Sequence, residues 1–175
     1  MSFTKKINSI KSINLFINLG FVMNTEKIIK NNFIKTIISE DQAIGIYEAE
    51  LFWKRRPNDV FQEILSEEIK HEEELMEFIQ SRGWSLTRAQ NFLMTLNRLS
   101  GWIIGTALST LPRRLCFFFH YLAEKQAANG YNDLMIRIEK PNSPKWINTT
   151  NIKSEINNII ESEILHSEIF KKLMN

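Results

Sequence analysis

Four segments of this chain carry apolar residues at alternating spacings of three and four, the period of a helix that buries one face, and a single glutamate interrupts each row. The rows read Phe33, Ile37, Glu40, Ile44, Tyr47, Leu51; Phe61, Leu65, Glu68, His71, Leu75, Phe78; Phe117, Tyr121, Glu124, Ala128, Tyr131, Met135, Ile138; and Ile152, Ile156, Ile159, Glu163, His166, Phe170, Leu173. Only six glycines and four prolines punctuate the 175 residues. No short alternating run bounded by turn residues offers a strand, so the pattern predicts an all-α fold.

Turn and cap signals divide the chain into five helices. The first is expected from Glu26 to Lys54, stopping before Pro57, and the second from near Asn58 to near Gly83. A hydrophobic helix over about 87–110 is broken from the next, about 112–139, by Pro112. A linker from Lys140 to Asn151 holds Pro141, Pro144 and the capping candidates Thr149, Thr150 and Asn151, after which the last helix runs to the C-terminus. Residues 1–25 contain no acid, three lysines and apolar Phe3, Ile7, Ile10, Ile13, Ile17 and Phe21, and read as a leader or a flexible extension; residues 26–175 form one domain.

Composition narrows the function. A chain 43% hydrophobic with a net charge of +2 is too apolar for disorder and too evenly charged to leave an electrostatic footprint for nucleic acid. The single cysteine, Cys116, excludes an intrachain disulfide framework and any multi-cysteine zinc or iron–sulfur pattern. No run reaches the ~20 apolar residues that cross a bilayer. The nearest, Leu99 to Leu111, is flanked by Arg98, Arg113 and Arg114 and suits either a headgroup interface, with the arginines against lipid phosphates, or a core or dimer contact.

The rows carry the chemistry. An ionised carboxylate buried alone costs several kcal/mol or more. Four such acids converging on two divalent cations instead become ligands whose charge is neutralised. Glu68-x-x-His71 and Glu163-x-x-His166 each place both side chains on one helical face, and Glu40 and Glu124 occupy the matching register on the other two helices. Two such pairs plus one glutamate from each remaining helix is the ligand set of ferritin-like di-iron bundles. The acids Glu67, Glu72, Glu73, Glu74 and Glu77 around the first pair also fit a solvated helix face, and one Glu-x-x-His alone would be weak. His120, beside the Glu124 row, reads as a packed or rim histidine rather than a third ligand.

Over residues 34–172 the chain resembles the demethoxyubiquinone hydroxylases, ferritin-like di-iron monooxygenases of ubiquinone biosynthesis. The resemblance rests on Glu40 followed seven residues later by Tyr47 of an Ile-Tyr pair, on Arg56-Pro57, on Glu68-x-x-His71, on the glycine-rich Gly101-Trp-Ile-Ile-Gly105-Thr-Ala-Leu108, on Glu124 with Tyr131-Asn132, and on Glu163-x-x-His166. It departs where the family has Asp-His-Ala-Gly before its first glutamate and this chain has Ile37-Ile38-Ser39, and where the family has His before the third-helix Tyr and this chain has Gly130.

The resemblance implies a ferritin-like four-helix bundle with an additional hydrophobic helix, and a centre of two iron ions. Glu68 and Glu163 would bridge the irons, and Glu40 with His71 and Glu124 with His166 would complete the two coordination spheres. It further implies O2-dependent hydroxylation of a demethoxyubiquinol ring on a polyprenyl quinol, an external reductant such as NADH, and a homo-oligomer or biosynthetic complex. The expected place is a membrane surface: the cytoplasmic face of the inner membrane in a bacterium, the matrix face of the mitochondrial inner membrane in a eukaryote. An iron store shares the carboxylates, and a non-catalytic quinone-binding bundle shares the apolar helix; a rubrerythrin-like peroxidase would need a cysteine-rich iron site that Cys116 alone cannot build.

Overall fold

Helical periodicity becomes helix in every segment where the sequence carries it. The computed structural model describes the backbone of residues 3–175 apart from 56 and 142, and side chains from Thr25 onward apart from 56, 142, 148 and 149. Among the described residues there are helices α1 (Phe3–Trp53), α2 (Asn58–Ser81), α3 (Arg88–Thr110), α4 (Arg113–Ile138) and α5 (Ile152–Met174), one 3-10 turn (Lys145–Thr149) and no strand. The expected bounds hold within about two residues except at the first start: α1 begins at Phe3, not near Glu26. The apolar row Phe3 to Phe21 and the Arg56 of the Arg-Pro pair lie outside the described side chains.

The terminators work as their chemistry requires. Lys54, with φ of 52°, turns the chain out of α1, and Pro57 precedes the first turn of α2. Gly83, with φ of 68°, takes a left-handed conformation beyond α2, while its N–H donates to the Gln80 carbonyl and that of Trp84 to Ile79. Thr87 and Gln90 form a reciprocal capping box that opens α3.

Helices α1, α2, α5 and α4 pack as a ring, each against the next, and α3 lies outside it on α1. Two apolar clusters fill the ring. One gathers Phe33, Ile37, Phe78, Tyr131, Ile156 and their neighbours; the other gathers Tyr47, Phe61, Ile64, Cys116, Phe117 and Phe170. The four row glutamates fall between them in the chain, so a polar layer separates two dry ones.

The seating of α3 is set by glycine. A methyl group placed on Gly101 would meet the Gln42 carbonyl oxygen at 2.1 Å, on Gly105 the Ile46 carbonyl oxygen at 2.2 Å, and on Gly45 the Arg98 carbonyl oxygen at 2.2 Å. Backbone therefore lies directly on backbone, as small-residue spacing permits. Side chains then lock the contact: Gln42 Nε2 donates to Ser100 Oγ at 2.9 Å and Trp53 Nε1 to Thr106 Oγ1 at 3.1 Å.

Gly105→Val is expected to destabilise the fold by about 1–3 kcal/mol or more, because the clash is with backbone that cannot step aside. Gly130→Ala, where an added methyl meets nothing within 4 Å, is expected to be neutral or to stabilise by about 0.5–1 kcal/mol through helix propensity. Urea unfolding of the two variants checks the contrast; equal midpoints would contradict the close approach of α1 and α3.

Candidate metal centre

Each row delivers its carboxylate to the middle of the ring, where Glu40, Glu68, Glu124 and Glu163 are all at least 95% buried. His71 and His166, one turn beyond Glu68 and Glu163, point the same way. The six residues group as two overlapping sets, Glu40, Glu68, His71, Glu163 and Glu68, Glu124, Glu163, His166, with the ligand atoms of each set within 4.8 Å of one another. Glu68 and Glu163 belong to both. His71 Nδ1 stands 3.2 Å from Glu163 Oε1, and His166 Nδ1 stands 3.3 Å from Glu68 Oε1 and 3.7 Å from Glu124 Oε2.

Buried polar atoms are normally hydrogen-bonded. Here Glu68 Oε1, both oxygens of Glu163, and Nδ1 of both His71 and His166 have no hydrogen-bond partner, and all face the same small volume. That is the signature of donors prepared for a cation: oxygen and imidazole ligands, orphaned together in a dry layer. These buried clusters can hold metal.

The supporting contacts fix the ligands. Tyr131 Oη donates to Glu40 Oε1 at 2.5 Å and Tyr47 Oη donates to Glu124 Oε1. Glu67 Oε2 sits 2.8 Å from His166 Nε2 and also accepts from Ser162 Oγ. A proton on Nε2 directed at Glu67 leaves the Nδ1 lone pair facing the centre, the usual carboxylate–histidine arrangement behind a metal.

Electrostatics point the same way without a cation. Burial, reinforced by the charges of Glu124 and Glu40, pushes the Glu163 carboxyl up to about 12. Burial likewise raises Glu40 and Glu68. Burial would raise Glu124 as well, but the adjacent His166 and Glu163 and the Tyr47 hydroxyl that bonds it outweigh burial and hold its carboxyl below the ordinary value. Burial, then the neighbouring His166, brings the His71 imidazole down to about 4, so it is a neutral donor at pH 7. Burial opposes charge on His166 too, but Glu124 and Glu67 overcome it and its pKa rises.

Several expectations need correction. The rows suggested one buried acid per helix, yet α1 buries Asp41 and Glu50 as well as Glu40. At Asp41 burial still raises the carboxyl, but Arg98 offsets part of that penalty, its guanidinium reaching Asp41 Oδ1 at 3.3 Å and Glu48 Oε1 at 2.5 Å. Arg98 is thereby tied to α1, whereas Arg113 and Arg114 are exposed. His120, by contrast, is packed as expected and belongs to neither carboxylate set; its partner is Glu50. Glu67 is not merely part of a solvated acid run, since it orients His166.

A cleft of about 570 Å³ between α1 and α4 reaches the centre, with Glu40, Glu68, Glu124 and Glu163 in its wall. Ala43 on one side and Ala123, Ala127 and Gly130 on the other keep it open. The chain matches no protein-family profile, no curated protein and no solved structure.

The raised carboxyls set the sign of a pH effect. Folded, metal-free protein keeps protons on Glu40, Glu68 and Glu163 that the unfolded chain releases above its ordinary value of 4.5, so these groups lose stability as pH rises. Between about pH 8 and 9, above the ordinary 6.5 of His71 in the unfolded chain and below the value of about 12 to which Glu163 is raised, the metal-free melting temperature is expected to fall and divalent metal to offset the fall increasingly. Calorimetry checks this; a metal-free melting temperature flat across that window would contradict it.

Proposed function

We propose that the chain is a ferritin-like di-iron monooxygenase that hydroxylates the ring of a membrane-dissolved polyprenyl quinol. The observation that carries this reading is the pair of overlapping ligand sets sharing Glu68 and Glu163, with their ligand atoms orphaned in a buried layer. Two divalent ions carry four positive charges, and four carboxylates return neutrality. Glu40 and His71 would complete one ion's ligands, Glu124 and His166 the other's, and Glu68 and Glu163 would bridge. Imidazole with carboxylate and open positions suits ferrous iron. Bound iron, reduced again after each turnover by an external reductant such as NADH, would pass the two electrons that activate dioxygen, one oxygen atom entering the ring and the other leaving as water.

The chain's own residues supply place and protection. The apolar clusters on either side of the carboxylate layer close it above and below, so that the cleft between α1 and α4 is the approach to the centre and a bound ring would displace water from it. Tyr47 and Tyr131 hold Glu124 and Glu40 as neutral phenols, since burial raises both hydroxyls well above their ordinary value. The cleft between α1 and α4 admits a flat ring to the carboxylates, and Gly130 widens it where the resembled family carries His. The cleft also borders Gln42 and Ile46, which carry α3 on their other side.

Helix α3 turns Gly101, Gly105 and Ser109 toward α1 and leaves Phe92, Leu96, Leu99 and Ile103 exposed in one stripe. No described helix is long and apolar enough to cross a membrane. A stripe of this kind suits a helix lying in the headgroup interface, from which a prenyl tail passes to the cleft. Arg113 and Arg114, exposed at the start of α4, suit lipid phosphates.

Oxygen-dependent consumption of a demethoxyquinol by membranes containing the protein is the direct test. His71→Ala and Glu124→Ala are each expected to abolish it while leaving a helical protein, because the apolar rows remain. Ala127→Trp is expected to lower it at least tenfold by filling the cleft. Ferrous oxidation without quinol consumption would favour an iron store and refute the hydroxylase reading. Reversing charge at Arg113 and Arg114 is expected to weaken pelleting with anionic liposomes; an unchanged profile would assign that end of the molecule to protein contact.

A further inference from the structure

Among the described residues, one cluster of metal-ligating side chains lies outside the carboxylate centre. Glu50, Cys116 and His120 meet at the α1–α4 contact, and all three are at least 98% buried. Cys116 Sγ donates to Glu50 Oε1 at 3.0 Å and His120 Nε2 stands 2.5 Å from Glu50 Oε2. The three ligand atoms lie within 4.8 Å of one another.

The arrangement is built rather than incidental. Cys116 and His120 are four residues apart on α4, so their side chains project from one face of the helix toward the same point. The His120 ring lies near-parallel to those of Tyr47, at a centroid distance of 5.1 Å, and Phe170, at 4.6 Å, which also contact each other at 6.4 Å, so the three rings form one packed cluster that restrains the imidazole. Phe61 closes against the ring edge-on at 5.3 Å. Glu50 approaches from α1 with one carboxylate oxygen toward each partner.

We propose that Glu50, Cys116 and His120 form a second, mononuclear site for a thiolate-preferring divalent transition ion of the zinc class. Thiolate, imidazole and carboxylate are the three donor types that zinc takes in proteins, and the second carboxylate oxygen can fill a fourth position. Binding displaces the thiol proton, and His120 offers its Nε2 lone pair as the tautomer that carries its proton on Nδ1. One thiolate and one carboxylate then neutralise the ion inside an aromatic wall, which a buried divalent cation requires. Sulfur also separates the two sites by preference: the six residues of the carboxylate centre are oxygen and imidazole donors, whereas thiolate draws zinc and cobalt and rejects magnesium and calcium. The bound ion staples α1 to α4 at one end of the ring. His120 stands one turn before Glu124, about 6 Å along the helix, so the sites are distinct.

Cobalt reads this site alone. The chain has a single cysteine, so a sulfur-to-cobalt charge-transfer absorption can arise only at Cys116. Full-length, chelator-treated protein equilibrated with Co2+ is expected to show that near-ultraviolet band, with the intensity of one thiolate-bound cobalt per chain at saturation, and to lose it on addition of Zn2+. Zn2+ is also expected to slow alkylation of Cys116 at least tenfold in the unmutated chain. Cys116→Ser should abolish the band with the helical content unchanged, and His120→Gln should weaken Co2+ binding at least tenfold. Absence of the band from the unmutated chain at saturating Co2+, or alkylation indifferent to Zn2+, would overturn the proposal and leave a hydrogen-bonded triad. Neither readout depends on iron or on quinol, so its failure and that of the hydroxylase reading are distinguishable.

Discussion

The structure is organised around one electrostatic problem: four carboxylates held in the dry middle of a helical ring. Among the described residues, no counter-charged lysine or arginine reaches the ligand atoms of the two sets. Burial and mutual repulsion instead raise three of the four carboxyls, and the fourth stays low because His166 and Glu163 lie beside it and Tyr47 hydrogen-bonds it. An apolar replacement at any of these positions would pack more cheaply. Retaining all four, with two imidazoles whose donors are aimed inward, makes sense as a ligand set and poorly as a core.

The rest of the molecule positions that layer. Apolar clusters above and below it exclude water, and the two tyrosines and Glu67 lock ligand orientation from outside. Small residues leave α1 and α4 parted along the cleft. On the adjoining face of α1, glycines let α3 seat so closely that its remaining faces project outward, and Gln42 and Ile46 border both the cleft and the α3 contact.

Helical periodicity made much of this legible in the sequence. The rows containing Glu40, Glu68, Glu124 and Glu163 identify the buried face of each ring helix, because an acid in an otherwise apolar row is costly unless a cation or a hydrogen-bond donor meets it. Glu67 was not legible: it sits in a run of acids, and its role depends on Ser162 and His166, far away in sequence. The same holds for Glu50, Cys116 and His120, which meet only because one particular face of α1 turns to α4. Arg98 looked like a lipid-facing cation because its partners, Asp41 and Glu48, lie fifty or more residues earlier. Sequence periodicity reports which face is buried; it does not report which neighbour that face meets.

The central claim, that six side chains from four helices hold a pair of irons, is tested most directly by anaerobic titration of metal-free protein with ferrous iron, followed by oxygen and Mössbauer spectroscopy. The account expects two irons per chain at the carboxylate layer and, after oxygen, a spin-coupled diferric pair that disappears in Glu163→Ala. One iron or fewer per chain, or isolated ferric ions indifferent to that substitution, would contradict it.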